Sequence, residues 1–260
     1  MWVIALLAFA LVVLAGYGNA RWNAGTTQLL NRLDASQTQA VPQFFNAKEL
    51  DGLPVPVKRY FETVLKAGQP IITGATVQHS GSFNMGVAAR IHDAYVAGSG
   101  MLKVAIFGLI PVADLPASAD LSRGELMRFM AEATWYPTAL LPSQGVVWQG
   151  IDAQSAMATL TDGDVTLSMR IGFAANGLID TVRAESRGRL VGKTMTYLPW
   201  QGHFWNYAQK SGMLVPLEAE VAWMLPGGPR PYYRSRMTSV TYDFASLPHA
   251  NANSNANPTP

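Results

Sequence analysis

The chain has 260 residues, 49% of them hydrophobic and 14% charged, which is enough apolar material for one sizeable core or two small ones. The net charge of +2 comes without a long basic run, and this excludes a nucleic-acid partner recruited by charge. With no cysteine in the chain, disulfides and thiolate metal sites are excluded too.

Residues Trp2 to Tyr17 carry no charge, and nine of the thirteen residues from Trp2 to Leu14 are Val, Ile, Leu or Phe. Insertion into a bilayer at about −0.3 to −0.6 kcal/mol for each of these gives roughly −3 to −5 kcal/mol. As a helix the span is about 24 Å long, short against a hydrocarbon core of about 30 Å. Trp2 and Tyr17 stand at its two ends, where amphipathic rings favour the interface. Residues 1–20 therefore read as a single-pass membrane anchor that meets the lipid bilayer through residues 2–17. The rival reading is a cleaved signal peptide: Gly18-Asn19-Ala20 is a small-x-small site, although no Lys or Arg precedes the apolar run. Arg21 and Arg32 favour a cytoplasmic domain by the charge rule, and a signal peptide favours a periplasmic or extracellular one. The expected localisation is the membrane, with the side of the domain left open.

Ala24 to Leu33 continues as helix, and residues 21–45 hold that helix and a polar linker. Asn46-Ala47-Lys48-Glu49 has the form of a capping box. Val57, Tyr60, Phe61, Val64 and Leu65 repeat at helical spacing, so Pro56 to Ala67 is expected to be an amphipathic helix, with Gly68 as a left-handed cap. The period then changes to two. Strands are expected over Ala75 to Phe83, Ile91 to Val96 and Gly100 to Phe107, followed by a loop from Leu109 to Ala119. In Leu121-Ser122-Arg123-Gly124-Glu125-Leu126, Ser122 is expected to cap a helix that runs to about Ala133, with Glu125 reaching back.

From Val146 the pattern is an antiparallel meander. Asp162-Gly163 and Asn176-Gly177 are hairpin signals. Between them Val165, Leu167, Met169, Ile171 and Phe173 alternate with polar residues. The next strand is expected to carry Arg183, Glu185, Arg187 and Arg189 on one face. Arg234 and Arg236 share a face opposite Glu218 and Glu220, which reads as a cross-strand charge ladder or as a basic strip. The uncharged tail over residues 247–260 has nothing to bury and is expected to be disordered. The predicted fold class is α+β and β-dominated: a curved antiparallel sheet or open barrel, two or three covering helices, and an N-terminal transmembrane helix. A single β-rich domain is expected over residues 46–246.

Several blocks resemble a bacterial, membrane-anchored family of unknown function: Leu53 to Phe61, Gly124 to Ala133, Trp135 to Pro142, Leu198 to Phe204 and Glu220 to Pro226. The resemblance implies an uncharacterised protein and little chemistry. Between Met85 and Ile91 the chain departs from the family pattern, where relatives carry a longer aromatic segment, and complete closure of the sheet is the point this touches. The helix-plus-meander layout is also similar, at the level of fold, to the open barrels that carry lipoproteins in the periplasm, and fold alone does not set function.

Glu125, Arg128 and Glu132 lie at spacings of three and four and share one helix face. They read either as a carboxylate pair with a basic partner beside Trp135 and Tyr136, or as a solvated face with ordinary ion pairs. Of His79, His92, His203 and His249, no two have zinc-ligand spacing, so no metal and no cofactor is expected. His203 stands among Trp200, Phe204 and Trp205. The candidate catalytic residues are thus Glu125, Glu132 and His203. Trp135, Tyr136, Trp148, Trp200, Trp205 and Trp223 are candidates to line an apolar cavity, and equally able to fill a solid core. The expected function is binding of a lipid or other apolar ligand under the curved sheet. The alternatives are a hydrolase-like enzyme using Glu125 or Glu132 beside His203, and a non-catalytic envelope scaffold.

Overall fold

In the strand Val165–Phe173, Leu167, Met169, Ile171 and Phe173 are buried while Thr166, Ser168 and Arg170 are exposed. This is the period-two pattern of a sheet with one face on the core. The computed structural model describes residues 2–36, 43–83, 89–96, 99–106, 110–115, 118–191 and 194–245. Its helices are α1 (Trp2–Ser36), α2 (Val55–Val64) and α3 (Ala119–Glu132). The strands are β1 (Ile72–Phe83), β2 (Ala89–Val96), β3 (Ser99–Ile106), β4 (Ile110–Leu115), β5 (Val147–Asp152), β6 (Ser155–Asp162), β7 (Val165–Phe173), β8 (Ile179–Val191), β9 (Thr194–Lys210), β10 (Met213–Leu225) and β11 (Gly228–Phe244).

Eight strands form one sheet in the order β1-β11-β10-β9-β8-β7-β6-β5, with every pairing antiparallel, and β2-β3-β4 form a second small sheet. The fold is β-dominated α+β, as the alternating pattern implies. Among the described residues β1 and β5 are the free edges of the large sheet, which is therefore open rather than a closed barrel. Gly163 (φ 56°) and Gly177 (φ 84°) supply the left-handed backbone of the two predicted turns.

Two helices cover the sheet. Val57, Tyr60, Phe61 and Val64 of α2, and Leu126, Met127 and Met130 of α3, are buried in one core with Leu167, Met169, Ile171, Ile179 and Val215 of the strands. Each such side chain contributes about 1.5–3 kcal/mol on burial. Arg123 Nη1 donates to Thr166 O of β7 at 2.9 Å. Past the end of α3, Thr138 Oγ1 accepts from Ile72 N of β1 at 3.1 Å. These two bonds tie α3 and the segment after it to both halves of the sheet.

Several expectations are corrected. The residues from Leu109 to Ala119 are not all loop, because β4 lies within them. Pro111 is tolerated there because β4 is an edge strand and the pairing slips beside it, between Val104 and Ala105. Ser122 does not cap α3. Ser118 does, with its side chain accepting from Leu121 N at 3.2 Å, and Ser122 lies buried inside the helix. The helix α2 stops at Val64, where Leu65 turns extended and is buried; Gly68 (φ 75°) serves the turn that follows. The capping box at Asn46 and Glu49 forms, but it opens a short 3-10 turn, Ala47–Leu50. The helix α1 continues through Gly18-Asn19-Ala20 to Ser36, and Trp2, Val3, Leu6, Phe9, Val12, Val13, Leu14 and Tyr17 are exposed on it. Among the described residues no helix is long and apolar enough to cross a membrane. The expectation of a transmembrane helix is accordingly not part of the described fold. The expected tail disorder, most of the linker and the departure from the family pattern after Met85 lie outside the described residues.

Because Ser118 satisfies an otherwise orphaned amide at the start of α3, Ser118→Ala is expected to cost about 1 kcal/mol in urea unfolding. Ser118→Asp is expected to restore most of it. An unchanged midpoint in Ser118→Ala would remove the cap from this account.

A candidate ligand cavity under helix α3

Between α3 and the inner face of the sheet lies a cavity of about 320 Å³, at the small end of ligand sites. Its roof is Glu125, Arg128, Ala131 and Glu132 of α3, and Trp135 just beyond it. Its floor is Trp200 and Phe204 of β9 with Ala219 and Val221 of β10. Arg187 of β8 closes one side, and His79 of β1 with Tyr232 and Tyr233 of β11 the other.

Breaks in strand pairing aim three of these side chains. In β8 the register slips by one residue between Ala184 and Arg187, opposite Pro199 of β9. Proline has no N–H to complete the ladder, and the extra residue reverses which face the following side chains take. Val182 and Ala184 are buried on the inner face, and after the slip Arg187 is inward as well, with its guanidinium 5.0 Å from the Trp200 ring. The expected single face holding Arg183, Glu185, Arg187 and Arg189 is thus split. Arg183 and Glu185 pair with each other at 2.6 Å, and Arg189 lies 5.5 Å from the Trp223 ring. A second slip, beside Pro231 between Val221 and Ala222, lets the neighbouring Tyr232 and Tyr233 both reach the cavity. On the floor, Trp200, Gly202 and Phe204 follow at every second position. A Cβ at Gly202 would meet the Phe204 ring at 3.0 Å and the Trp200 ring at 3.4 Å, so glycine lets the two rings approach.

Trp135 is fixed from both ends: its Nε1 donates to Pro216 O at 3.0 Å, and its carbonyl accepts from Tyr242 Oη at 2.6 Å. The His79 ring packs on it at 4.4 Å. Trp200 Nε1 donates to Tyr232 Oη at 2.9 Å. With their hydrogen bonds satisfied within the protein, these two indoles present apolar faces.

The charged groups differ in their commitments. Arg128 Nε donates to Glu132 Oε1 at 2.7 Å, and both side chains are partly exposed, so this pair stands at the rim. Glu125 is only 8% exposed. Burial pushes its carboxyl up to about 7; Arg187 works against this and Glu132 adds to it. His79 is held below its ordinary value, chiefly by burial, and is neutral at neutral pH. Two buried atoms of lining residues, Arg187 Nη1 and His79 Nε2, have no hydrogen-bond partner among the described residues. Among those residues, no group of three or more His, Asp and Glu could hold a metal ion.

Of the residues singled out from sequence, Glu125, Glu132, Trp135 and Trp200 meet in this cavity. The face shared by Glu125, Arg128 and Glu132 turns towards the sheet, and within it Arg128 and Glu132 make the ordinary i,i+4 pair. His203 does not join them. It neighbours Phe204 in the pleat and faces outward, bonded to Asp180 at 3.0 Å and stacked on Trp205 at 4.9 Å. Trp205 shares that outer face, with the Arg234 guanidinium 5.2 Å from its ring. On the same face the predicted ladder is present as Glu218 opposite Arg236 and Glu220 opposite Arg234. Trp148 belongs to the core beneath α2, edge-on to Phe61 at 6.2 Å. Tyr136 packs on Phe129 and donates to Phe129 O at 2.9 Å. Trp223 stacks behind Tyr232 at 5.6 Å. Sequence reasoning missed Arg187 and His79 as lining residues. Pro199 was the one local sign that β8 and β9 do not pair evenly.

Residues 84–242, more than half of the chain, match a family of unknown function, DUF6920. Residues 43–91 match a second family of unknown function, DUF6544. No curated protein and no solved structure matches the chain.

The Glu125 carboxyl in the folded protein binds its proton more tightly than an unfolded glutamate near 4.5. The stability this contributes is complete below pH about 4.5 and is lost as pH rises through 7, a change on the order of 3 kcal/mol. Glu125→Gln is therefore expected to gain stability relative to the parent protein between pH 5 and 8.5. Urea unfolding of both proteins across that window measures it, and parallel pH profiles would refute the buried acid.

Proposed function

We propose, for a chain that belongs to the DUF6920 family of unknown function, that the cavity under α3 binds a small lipid-like or otherwise largely apolar molecule without chemically changing it. The observation that carries this reading is the cavity itself. About 320 Å³ stays open where the aromatic side chains could have closed on one another, and empty space in a protein core is destabilising unless something gains from it. Trp135, Trp200 and Phe204 supply flat apolar walls whose polar atoms are already satisfied. The scaffold alternative assumed a solid interior and loses its support here. The hydrolase alternative needed Glu125 or Glu132 beside His203, and His203 lies on the other face of the sheet.

Two measurements bear on this. The chain starting at residue 43, purified without detergent, is expected to release an apolar molecule on solvent extraction, seen by mass spectrometry. After extraction it is expected to bind decanol, read by quenching of tryptophan fluorescence. Ala219→Phe puts a ring into the cavity and is expected to weaken decanol binding at least tenfold while far-ultraviolet circular dichroism is retained. Equal binding by both proteins would end the proposal.

The reading also includes a tether to the bilayer through residues 2–17. Its support is the uncharged run Trp2 to Tyr17 together with the exposed apolar side chains of α1. The full chain is expected in the membrane fraction and to resist carbonate extraction, while a chain starting at residue 43 is expected in the soluble fraction. Recovery of the full chain as soluble protein would refute the tether.

A further inference from the structure

We propose that the molecule held under α3 is an amphiphile with one singly charged anionic head, a carboxylate on an apolar chain, and that Arg187 is the residue that holds the head. This rests on the cavity being a ligand site and adds the ligand's chemical class.

A purely apolar guest would leave two buried polar atoms of the wall, Arg187 Nη1 and His79 Nε2, without partners. Such atoms are destabilising when left unpaired, and more so when charged. An oxyanion is the group that satisfies a guanidinium best, because its oxygens match the planar fork of donors. Among the described residues two arginines line the cavity, and their commitments differ. Arg128 is already engaged by Glu132 at 2.7 Å. Arg187 instead lies against the Trp200 ring at 5.0 Å, which orients the guanidinium without using its N–H groups. His79, neutral and against Trp135, has a ring nitrogen that can donate to the same head in one tautomer.

The charge count agrees with a single negative charge. The ionisable groups facing Arg187 across the cavity are Glu125, Arg128 and Glu132 of α3, His79 of β1, and Tyr232 and Tyr233 of β11. With Arg128 and Glu132 cancelling and Glu125 protonated on the acid side of its pKa of about 7, the cavity has one positive charge left there. When Glu125 ionises at higher pH it becomes the anion beside Arg187 and competes with the ligand. Binding of the head therefore weakens as pH rises through about 7, and Glu125→Gln removes that loss.

The test compares three probes on the full chain by tryptophan fluorescence and calorimetry: decanoate, decanol and inorganic phosphate. Decanoate is expected to bind at least tenfold more tightly than decanol at pH 6.5, and inorganic phosphate far more weakly than decanoate. In Arg187→Met, which keeps the apolar stem, the preference for decanoate over decanol is expected to be lost. Should that protein not fold, Arg187→Lys, which keeps the charge but loses the fork, is expected to reduce the preference. Decanol binding with no preference for decanoate would overturn the head-group assignment and leave the cavity reading in place. A preference that survives both substitutions would overturn it too. Inorganic phosphate binding as tightly as decanoate would mean a free-anion site and no amphiphile. Binding of neither amphiphile would remove the cavity reading, and this inference with it.

Discussion

Pro199 cannot donate to the strand beside it, and much of the cavity follows from that missing hydrogen. The ladder between β8 and β9 is even up to the pair Ala184 and Trp200 and resumes at Arg187 and Leu198 with one residue more on the β8 side. Without the slip, strict alternation from Val182 and Ala184 would put Arg187 among the outward side chains. With it, a guanidinium enters a space walled by indoles. The second slip, at Pro231 in β11, acts in the same way on the tyrosines. Bulges bend strands as well as re-aim side chains, so the same irregularities help the sheet curve around the space they furnish.

The helix above the sheet is held to match. Arg123 bonds to β7, Thr138 to β1 and Trp135 to β10, so the height of α3 over the strands is set by hydrogen bonds at its two ends and by Leu126, Met127 and Met130 packing into the core between them. The face carrying Glu125, Ala131 and Glu132 then spans the cavity. Ala131 and Ala219 contribute to the open volume by being small. Glu125 is carried inside because its helix position leaves it no other side to face, and burial answers by raising its carboxyl pKa to about 7.

What could be read from the sequence was what obeys a period. The strands of the meander, the turns at Gly163 and Gly177, the buried stripe of α2 and the grouping of Glu125, Arg128 and Glu132 follow from alternation and helical spacing alone. Family resemblance was legible too, since its blocks include the α3 segment and the run from Leu198 to Phe204 that now roof and floor the cavity. What could not be read was what breaks a period. Arg187 was assigned to the wrong company because the bulge shifts it by one residue, and His203 was set beside the site because sequence proximity to Phe204 says nothing about the side of a pleat. Ser122 offered a better capping pattern than Ser118. Only packing shows that Ser122 is buried within the helix.

A cavity of this kind is a cost in the empty protein. The volume forgoes dispersion contacts, Arg187 Nη1 and His79 Nε2 find no hydrogen-bond partner among the described residues, and the Glu125 carboxyl is pushed up to about 7 by burial. A sequence selected only for stability would repair all three with ordinary substitutions: larger residues at Ala131 and Ala219, a methionine in place of the arginine, a glutamine in place of the acid. Proteins keep such local conflicts mainly where function needs them. A guest that fills the volume and satisfies the arginine binds only the folded state, so it returns stability to the fold by mass action. On the proposed reading, the cavity, the Arg187 Nη1 and the buried Glu125 carboxyl are parts of one ligand site rather than three separate defects.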